Sequence, residues 1–216
     1  MRTWLAVALI LAVLAGGCAA PRAQSAFGPP PRDELLQPLI ADSDVLEGVR
    51  VDANTWLKTY PVSAEGGLAS IRRQLDRLGP NSDVTGRRFD GLTTWALRWA
   101  FNYDQTSTGC RVRSATIQVE AVITLPELQT EDALPPGELD LWRDYAAKLR
   151  SHEDGHVSIY LTAAHELRDQ FLSTAPMPDC RSLALVLGRK GDAMIETIRY
   201  NDRLYDAATG HGAVFP

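Results

Sequence analysis

The residues best suited to chemistry in this chain are two histidines and a glutamate in the run SHEDGHVSIY. His152, Glu153 and His156 follow the order His-Glu-x-x-His. On an α-helix this spacing places the two imidazoles on one face, about 40° apart. In such a pattern two neutral ring nitrogens bind Zn²⁺, and the neighbouring carboxylate takes a proton from the water that the ion polarises. The motif therefore predicts a hydrolytic zinc site.

The helix that carries this motif is predicted to run on from Pro136, because the chain has no further proline until Pro176. Apolar side chains fall on the same face as His152: Trp142, Tyr145, Leu149, Ile159, Tyr160, Ala163 and Leu167. Unpartnered imidazoles in such a stripe would be costly to bury. One alternative is a pair of ordinary hydrogen-bonded core histidines, whereas a metal ion would satisfy both inward-facing nitrogens at once.

A catalytic zinc site also needs a third protein ligand and an open position for water. His211 in YDAATGHG is the favoured ligand, because Gly210 and Gly212 would let the backbone turn sharply and bring the imidazole to the metal. Asp206 is an alternative, either as a ligand or as a carboxylate that orients a histidine. Glu196, on the following predicted helix, is a further alternative.

Three other residues near the motif have separate interpretations. His165 would point about 180° away from His156 on a continuous helix, so it does not fit the site. Thr162 stands where metzincin peptidases carry their third histidine. Tyr205 could donate a hydrogen bond to the oxyanion of a tetrahedral intermediate, or could simply pack on the surface.

The first residues, MRTWLAVALILAVLAGGCAA, have the features of an export signal. Arg2 precedes an apolar run that is short for a membrane span, and small residues lie directly before Cys18. This arrangement resembles the bacterial lipoprotein signal, in which the cysteine is lipidated; a plain secretory signal is the alternative. The predicted organisation is a signal peptide at 1–17, a lipid-anchored flexible tether at 18–45 and a folded domain at 46–216.

Export would place the domain in the periplasm or at the cell surface. The outer membrane is favoured, because Ala20 occupies the position where an Asp usually retains lipoproteins at the inner membrane. An oxidising compartment favours a disulfide between Cys110 and Cys180 over two buried thiols. The formal net charge of -5, without a basic run, argues against a nucleic-acid partner.

The rest of the chain predicts a sheet followed by long helices. A strand is expected near 49–62, then a helix over LASIRRQLDRL, while ELLQPLIADSDVLEG is ambiguous and could form a short helix. TTWALRWAFNYD and CRVRSATIQVEAVITLP alternate with period two, which predicts an antiparallel hairpin whose second strand ends at Pro126. This order is typical of an α+β fold, with an antiparallel sheet packed on the long active-site helix and a C-terminal helix.

Several motifs, in order, resemble a bacterial family of uncharacterised exported proteins regarded as predicted secreted zinc-dependent proteases. They are FDGLTTWALRWAF, Gly109-Cys110, ITLP, HEDGH, Asp179-Cys180 and YDAATGHG, and they run from about residue 50 to the end. The resemblance implies a zincin-like metalloprotease domain with His152, Glu153 and His156 in the active site. It implies little about the substrate, because the activity of that family is itself chiefly inferred.

Together these features predict a lipid-anchored, exported zinc peptidase that acts on a peptide or protein substrate. Zn²⁺ would be held by His152, His156 and His211, with Glu153 as the general base, and the strand ending AVITLP would run along the cleft. A zinc hydrolase of peptidoglycan cross-links is one alternative. The other is a non-catalytic envelope lipoprotein with a structural metal site, against which Glu153 argues because such a site needs no carboxylate there.

Overall fold

A computed structural model describes residues 36–82, 86–212 and 214–216. The elements in these ranges are β1 (Gln37–Leu46), β2 (Val49–Ser63), α1 (Gly67–Leu78), β3 (Leu92–Thr106), β4 (Gly109–Gln129), a 3-10 turn (Glu131–Ala133), α2 (Pro136–Leu172) and α3 (Cys180–Thr209). The predicted α+β class is confirmed, with strands in the first half and long helices after them. The predicted signal peptide, the lipidation site Cys18 and residues 18–35 of the tether lie outside the described residues.

The four strands form one sheet in the order β1-β2-β4-β3. The β3–β4 pair is antiparallel, so the predicted hairpin is confirmed. β1 and β2 also pair antiparallel, but β2 and β4 run parallel, and the sheet is therefore mixed and not wholly antiparallel as expected. The parallel pair is possible because α1 and β3 form the long connection that brings the chain back in the same direction.

The segment that could have been a short helix is instead the edge strand β1. It pairs with β2 from Gln37 opposite Leu57 to Leu46 opposite Val49. Glu47 and Gly48 join the two strands with φ values of 49° and 82°, the left-handed pair that a tight hairpin turn needs. Because β1 belongs to the sheet, the folded domain extends to the N-terminal side of the predicted boundary at residue 46.

The prediction that Pro126 ends the second strand is wrong, since β4 continues to Gln129. Pairing with β3 stops at Thr124, whereas pairing with β2 continues through Tyr60 opposite Pro126. At that point β4 has only one neighbouring strand, and a proline without an N–H is tolerated at such an open edge.

The core lies between the sheet and the two long helices. The stripe predicted on β3 is buried at Trp95, Leu97, Trp99 and Phe101, while Tyr103 is only partly covered. α3 lies close to β3 because Gly191 has no side chain: a Cβ there would lie 2.1 Å from the Trp99 ring. No helix in the described part of the chain is long and apolar enough to cross a membrane.

The predicted disulfide between Cys110 and Cys180 is present and joins two residues 70 positions apart in the chain. It connects the start of β4 to the first residue of α3, where the Asp179 carboxylate accepts a hydrogen bond from the Ser182 N–H at 2.8 Å. A cross-link that closes a loop of this length stabilises the fold by about 4 kcal/mol in the chain-entropy model. The disulfide also fixes the start of α3 against the sheet.

Candidate metal and catalytic site

The His-Glu-x-x-His motif lies in the middle of α2, which is a continuous helix over all 37 of its residues. His152 and His156 are 7% exposed and Glu153 is 3% exposed, so all three polar side chains are buried. The helical pattern predicts this for the two histidines, which it places within the apolar stripe. They lie on the wall of a cavity of about 500 Å³ that also takes in the start of β3 and the last turns of α3.

The third member of the group is Asp206, which α3 brings against the two histidines. The Nε2 atoms of His152 and His156 lie 3.2 Å apart, and Asp206 Oδ1 is 3.3 Å from the first and 3.1 Å from the second. A tetrahedral zinc ion with bonds of about 2.0–2.1 Å separates its ligand atoms by about 3.3–3.4 Å. The spacing of the three atoms therefore fits three vertices around Zn²⁺, with the fourth left for water or substrate.

Hydrogen bonds at the other ring nitrogens orient both histidines. His156 Nδ1 lies 3.0 Å from Asp202 Oδ1, and His152 Nδ1 lies 3.0 Å from Thr209 Oγ1. The Thr209 hydroxyl already donates to the Tyr205 carbonyl at 2.7 Å, so towards His152 it can only accept. Each neutral imidazole thus keeps its proton on Nδ1 and presents a lone pair at Nε2.

This arrangement makes three acceptor atoms converge without a donor between them. Such a cluster needs a cation, either a metal ion or a proton. Burial lowers the pKa of His156, but its hydrogen bonds with Asp202 and Asp206 outweigh that effect and bring the pKa to about 9. Burial raises the pKa of Asp206, yet its hydrogen bonds to the histidines hold that pKa well below the usual range for a carboxyl.

Glu153 faces the same cavity from beside the two histidines. Its Oε2 atom accepts a hydrogen bond of 2.7 Å from the Thr93 hydroxyl at the start of β3. Its Oε1 atom approaches Gly91 so closely that a Cβ there would lie 2.8 Å from it. Burial raises the pKa of Glu153, against the opposing effect of the Thr93 hydrogen bond. The carboxylate is therefore held next to the group formed by His152, His156 and Asp206 without belonging to it.

A partly buried polar network anchors the segment that leads to Gly91 and Thr93. The Asp90 carboxylate accepts hydrogen bonds from Arg72 on α1 and from the Tyr145 hydroxyl on α2. Its carbonyl oxygen accepts a hydrogen bond of 2.7 Å from the Tyr60 hydroxyl on β2. Because three elements hold Asp90, the start of β3 has a defined position relative to Glu153.

The favoured third ligand, His211, lies beside the group but is not one of its three atoms. Its Nδ1 is 3.5 Å from Asp206 Oδ1, and its side chain is 56% exposed. Gly210 and Gly212 do make the sharp turn that their presence predicts, with φ values of 62° and 95°. The turn brings the backbone of Gly212 against His152, where a Cβ would lie 2.8 Å from the ring.

Neither of the other two candidates lines the cavity. Glu196 pairs with Arg199 at 2.5 Å on the exposed surface of α3. The Tyr205 ring stacks on His152 with centroids 5.0 Å apart, and a Cβ at Gly155 would lie 2.1 Å from its hydroxyl oxygen. Tyr205 does not line the cavity. The ring therefore packs between α2 and α3 beside His152, and the role of its hydroxyl as an oxyanion donor stays a prediction.

One known protein family matches a region of the chain that contains this whole site. A family model described as DUF922, bacterial protein of unknown function, matches residues 57–212. This chain belongs to the DUF922 family. No curated protein and no solved structure matches it. The DUF922 region begins within β2 and ends at Gly212, so it includes the long helices α2 and α3, the start of β3 and the glycine turn.

Three residues of the site in this DUF922 chain were not predicted from its sequence: Asp202, Thr93 and Thr209. Asp202 and Asp206 are four residues apart on a predicted helix, the same spacing as the two histidines. This spacing was the signal in the sequence that could have indicated Asp202. Thr93 and Thr209 carried no signal of their own. Each acts through a neighbour, by a hydrogen bond that only the packing of β3 and α3 against α2 creates.

Replacing Asp202 by Asn is expected to weaken metal binding by about 10- to 100-fold, because carboxylates that orient a metal-binding histidine have effects of this size. The amide keeps the shape but loses the charge that holds the proton on His156 Nδ1. Competition with a chromophoric chelator measures the change. Asp192→Asn, an exposed position on the same helix, is the matched control, and equal affinities for the two variants would contradict this role.

Proposed function

We propose that this DUF922 chain is an exported zinc-dependent peptidase that hydrolyses peptide bonds with Glu153 as the general base. The observation that carries the proposal is the convergence of three acceptor atoms, from His152, His156 and Asp206, in the same cavity as a buried carboxylate. A purely structural metal site would need His152, His156 and Asp206, but it would leave Glu153 without a function.

The residues divide the chemistry between them. A bound zinc ion would acidify a water molecule and polarise the carbonyl of the scissile bond. Glu153 would accept the proton of the attacking water and pass it to the departing amine. Thr93 would hold the carboxylate by its Oε2 atom, which leaves Oε1 for the proton. Asp202 and Thr209 would keep both histidines in the tautomer that binds metal.

The outer edge of β3 is the proposed place for the substrate backbone. β3 is a terminal strand of the sheet, and its first residues, 92–95, line the cavity. An extended peptide can add to such an open edge through main-chain hydrogen bonds. β4, the strand ending AVITLP that the sequence suggested for this place, has neighbours on both sides up to Thr124, so β3 replaces it in the proposal.

The proposed location is the bacterial cell envelope, with a lipid at Cys18 as the membrane anchor. The support comes from the N-terminal sequence and from the disulfide between Cys110 and Cys180, since such bridges persist mainly in oxidising compartments. Labelling of cells with a radioactive or clickable fatty acid tests the anchor, with Cys18→Ser as the unlabelled comparison.

Removal of the metal provides the direct test of the proposed function. The purified protein is expected to contain about one zinc per chain, to cleave an unfolded protein, to lose that activity in a strong chelator and to regain it with added zinc. Elemental analysis and a fluorogenic casein assay give the two readouts. Chelator-resistant cleavage, or protein without zinc at any stage, would contradict the proposal. Cleavage of purified muropeptides but not casein would instead favour the peptidoglycan hydrolase.

A further inference from the structure

Four arginines line the cavity that holds the candidate site, although the chain as a whole has a net charge of -5. Arg87 and Arg88 come from the segment before β3, and Arg199 and Arg203 come from α3. Positive side chains around a cavity attract and orient anionic groups. Whether these arginines can bind a ligand depends on the partners that the protein already gives them.

The carboxylates that line the same cavity are all bonded to other groups. Asp90 accepts hydrogen bonds from Arg72 and Tyr145, Glu153 accepts one from Thr93, and Asp202 accepts one from His156. Asp206 Oδ1 lies against the Nε2 atoms of the two histidines. Within the described residues, no ion pair joins these four carboxylates to Arg88, Arg199 or Arg203. The acidic groups of the cavity therefore do not occupy these three guanidinium groups.

Arg203 is the arginine best placed to bind a ligand. Arg88 donates to the Gly79 carbonyl at 2.7 Å, Arg199 pairs with Glu196, and Arg87 lies over the Phe89 ring at 6.0 Å. Within the described residues Arg203 has no hydrogen bond or ion pair, although it lines the cavity. A planar guanidinium in that position can bind both oxygens of a carboxylate at once.

Arg203 lies one helical turn before Asp206 on α3. It precedes Asp206 by three residues, so the two Cα atoms differ by about 4.5 Å along the helix axis and lie on nearly the same face. An extended peptide advances by about 3.3 Å per residue. A carboxylate bound by Arg203 would thus belong to a residue within a few positions of the bond that is cut.

We propose that the cavity selects peptides that carry a carboxylate within a few residues of the scissile bond, and that Arg203 binds this group. The inference rests on the proposed peptidase function and adds the chemical class of its substrate. The carboxylate can be an acidic side chain or the free end of a peptide chain, since both present the same two oxygens.

Matched peptides test the inference on the full chain. A fluorogenic peptide of Ala and Leu carries one Glu at successive positions, each version has a Gln counterpart, and each is made with a free or an amidated C-terminus. For the wild type, kcat/KM is expected to be about 10- to 100-fold higher for the best carboxylate-bearing peptide than for its neutral counterpart. The Glu and Gln pairs test a side-chain carboxylate, and the free and amidated C-termini test a terminal carboxylate.

Arg203→Gln is expected to bring that ratio to about one, whereas Arg189→Gln, an exposed arginine on the same helix outside the cavity, keeps the wild-type ratio. Circular dichroism confirms folding, and Arg203→Lys, which keeps the charge but not the two-pronged geometry, lowers the ratio partway and serves if the glutamine variant does not fold. Equal rates for the paired peptides in the wild type, or an unchanged ratio in both Arg203 variants, would overturn the inference.

A failure of the proposed function leaves the inference testable. If the wild type cleaves none of the peptides, fluorescence anisotropy of labelled Glu and Gln peptides measures binding alone. Tighter binding of the Glu peptide that Arg203→Gln removes would support the anionic subsite without peptidase activity. Equal binding of the two peptides would overturn it.

Discussion

Replacing Glu153 by Gln is expected to lower peptide hydrolysis by about 10²–10⁴-fold, the range for losing a general base, while the protein retains its zinc. The amide has nearly the same shape and can still receive the Thr93 hydrogen bond, but it cannot take a proton from water. The expected signature is a loss in kcat with little change in KM, because the carboxylate acts on the transition state and not on substrate binding.

Glu166→Gln is the matched control for this prediction, since it makes the same change at an exposed position of the same helix. Zinc content and the melting temperature of both variants are measured beside the activity. A Glu153→Gln variant that hydrolyses peptides at the wild-type rate would remove the general base from the proposal. An inactive variant that had also lost its zinc would show that Glu153 acts on the metal site itself.

Replacing Asp206 by Ala is expected to abolish zinc retention, whereas His211→Ala retains the metal. Asp206 Oδ1 lies within 3.3 Å of both Nε2 atoms, while His211 contributes no atom to that group and is largely exposed. At a zinc concentration about 1,000-fold above the dissociation constant, the bound ion stabilises the fold by about 4 kcal/mol. For a domain of this size that is roughly a 10 °C rise in melting temperature.

Thermal unfolding with and without added zinc, together with elemental analysis, measures this effect. The wild type, His211→Ala and the control Asp192→Asn are expected to show the zinc-dependent rise in melting temperature, and Asp206→Ala is not. The reverse result, loss of zinc in His211→Ala but not in Asp206→Ala, would restore the ligand set that the sequence favoured. Loss in both would make His211 a fourth protein ligand and leave no vertex for water.

Local sequence patterns predicted the features that depend on a single element. The four-residue spacing of His152 and His156 implies a shared helical face wherever that helix packs, and the surrounding apolar stripe implies that the face is buried. Alternation with period two predicted the β3–β4 hairpin, because a strand exposes every second side chain to the same side. The export signal, together with the pair of cysteines left after Cys18, predicted the disulfide between Cys110 and Cys180.

Features that depend on pairing between distant segments were missed or misassigned. Nothing in QPLIADSDVL is strongly strand-like, and β1 forms because β2 supplies an edge for it to pair with. The parallel β2–β4 pair and the continuation of β4 past Pro126 likewise depend on which strand lies next to which. The side chain of a proline shows that an N–H is missing, but not whether a neighbouring strand needs it.

The candidate site shows the same difference between features of a single element and features that depend on packing between elements. The sequence by itself determined which helix face carries His152, Glu153 and His156, because that follows from the rise and turn of one helix. Only the tertiary structure brought Asp206 rather than His211 between the two histidines, brought Asp202 to His156 and placed Thr93 on Glu153. Those contacts depend on how α3 and β3 are rotated and shifted against α2, and a displacement of about 1.5 Å per residue along a helix changes which side chain meets the histidines.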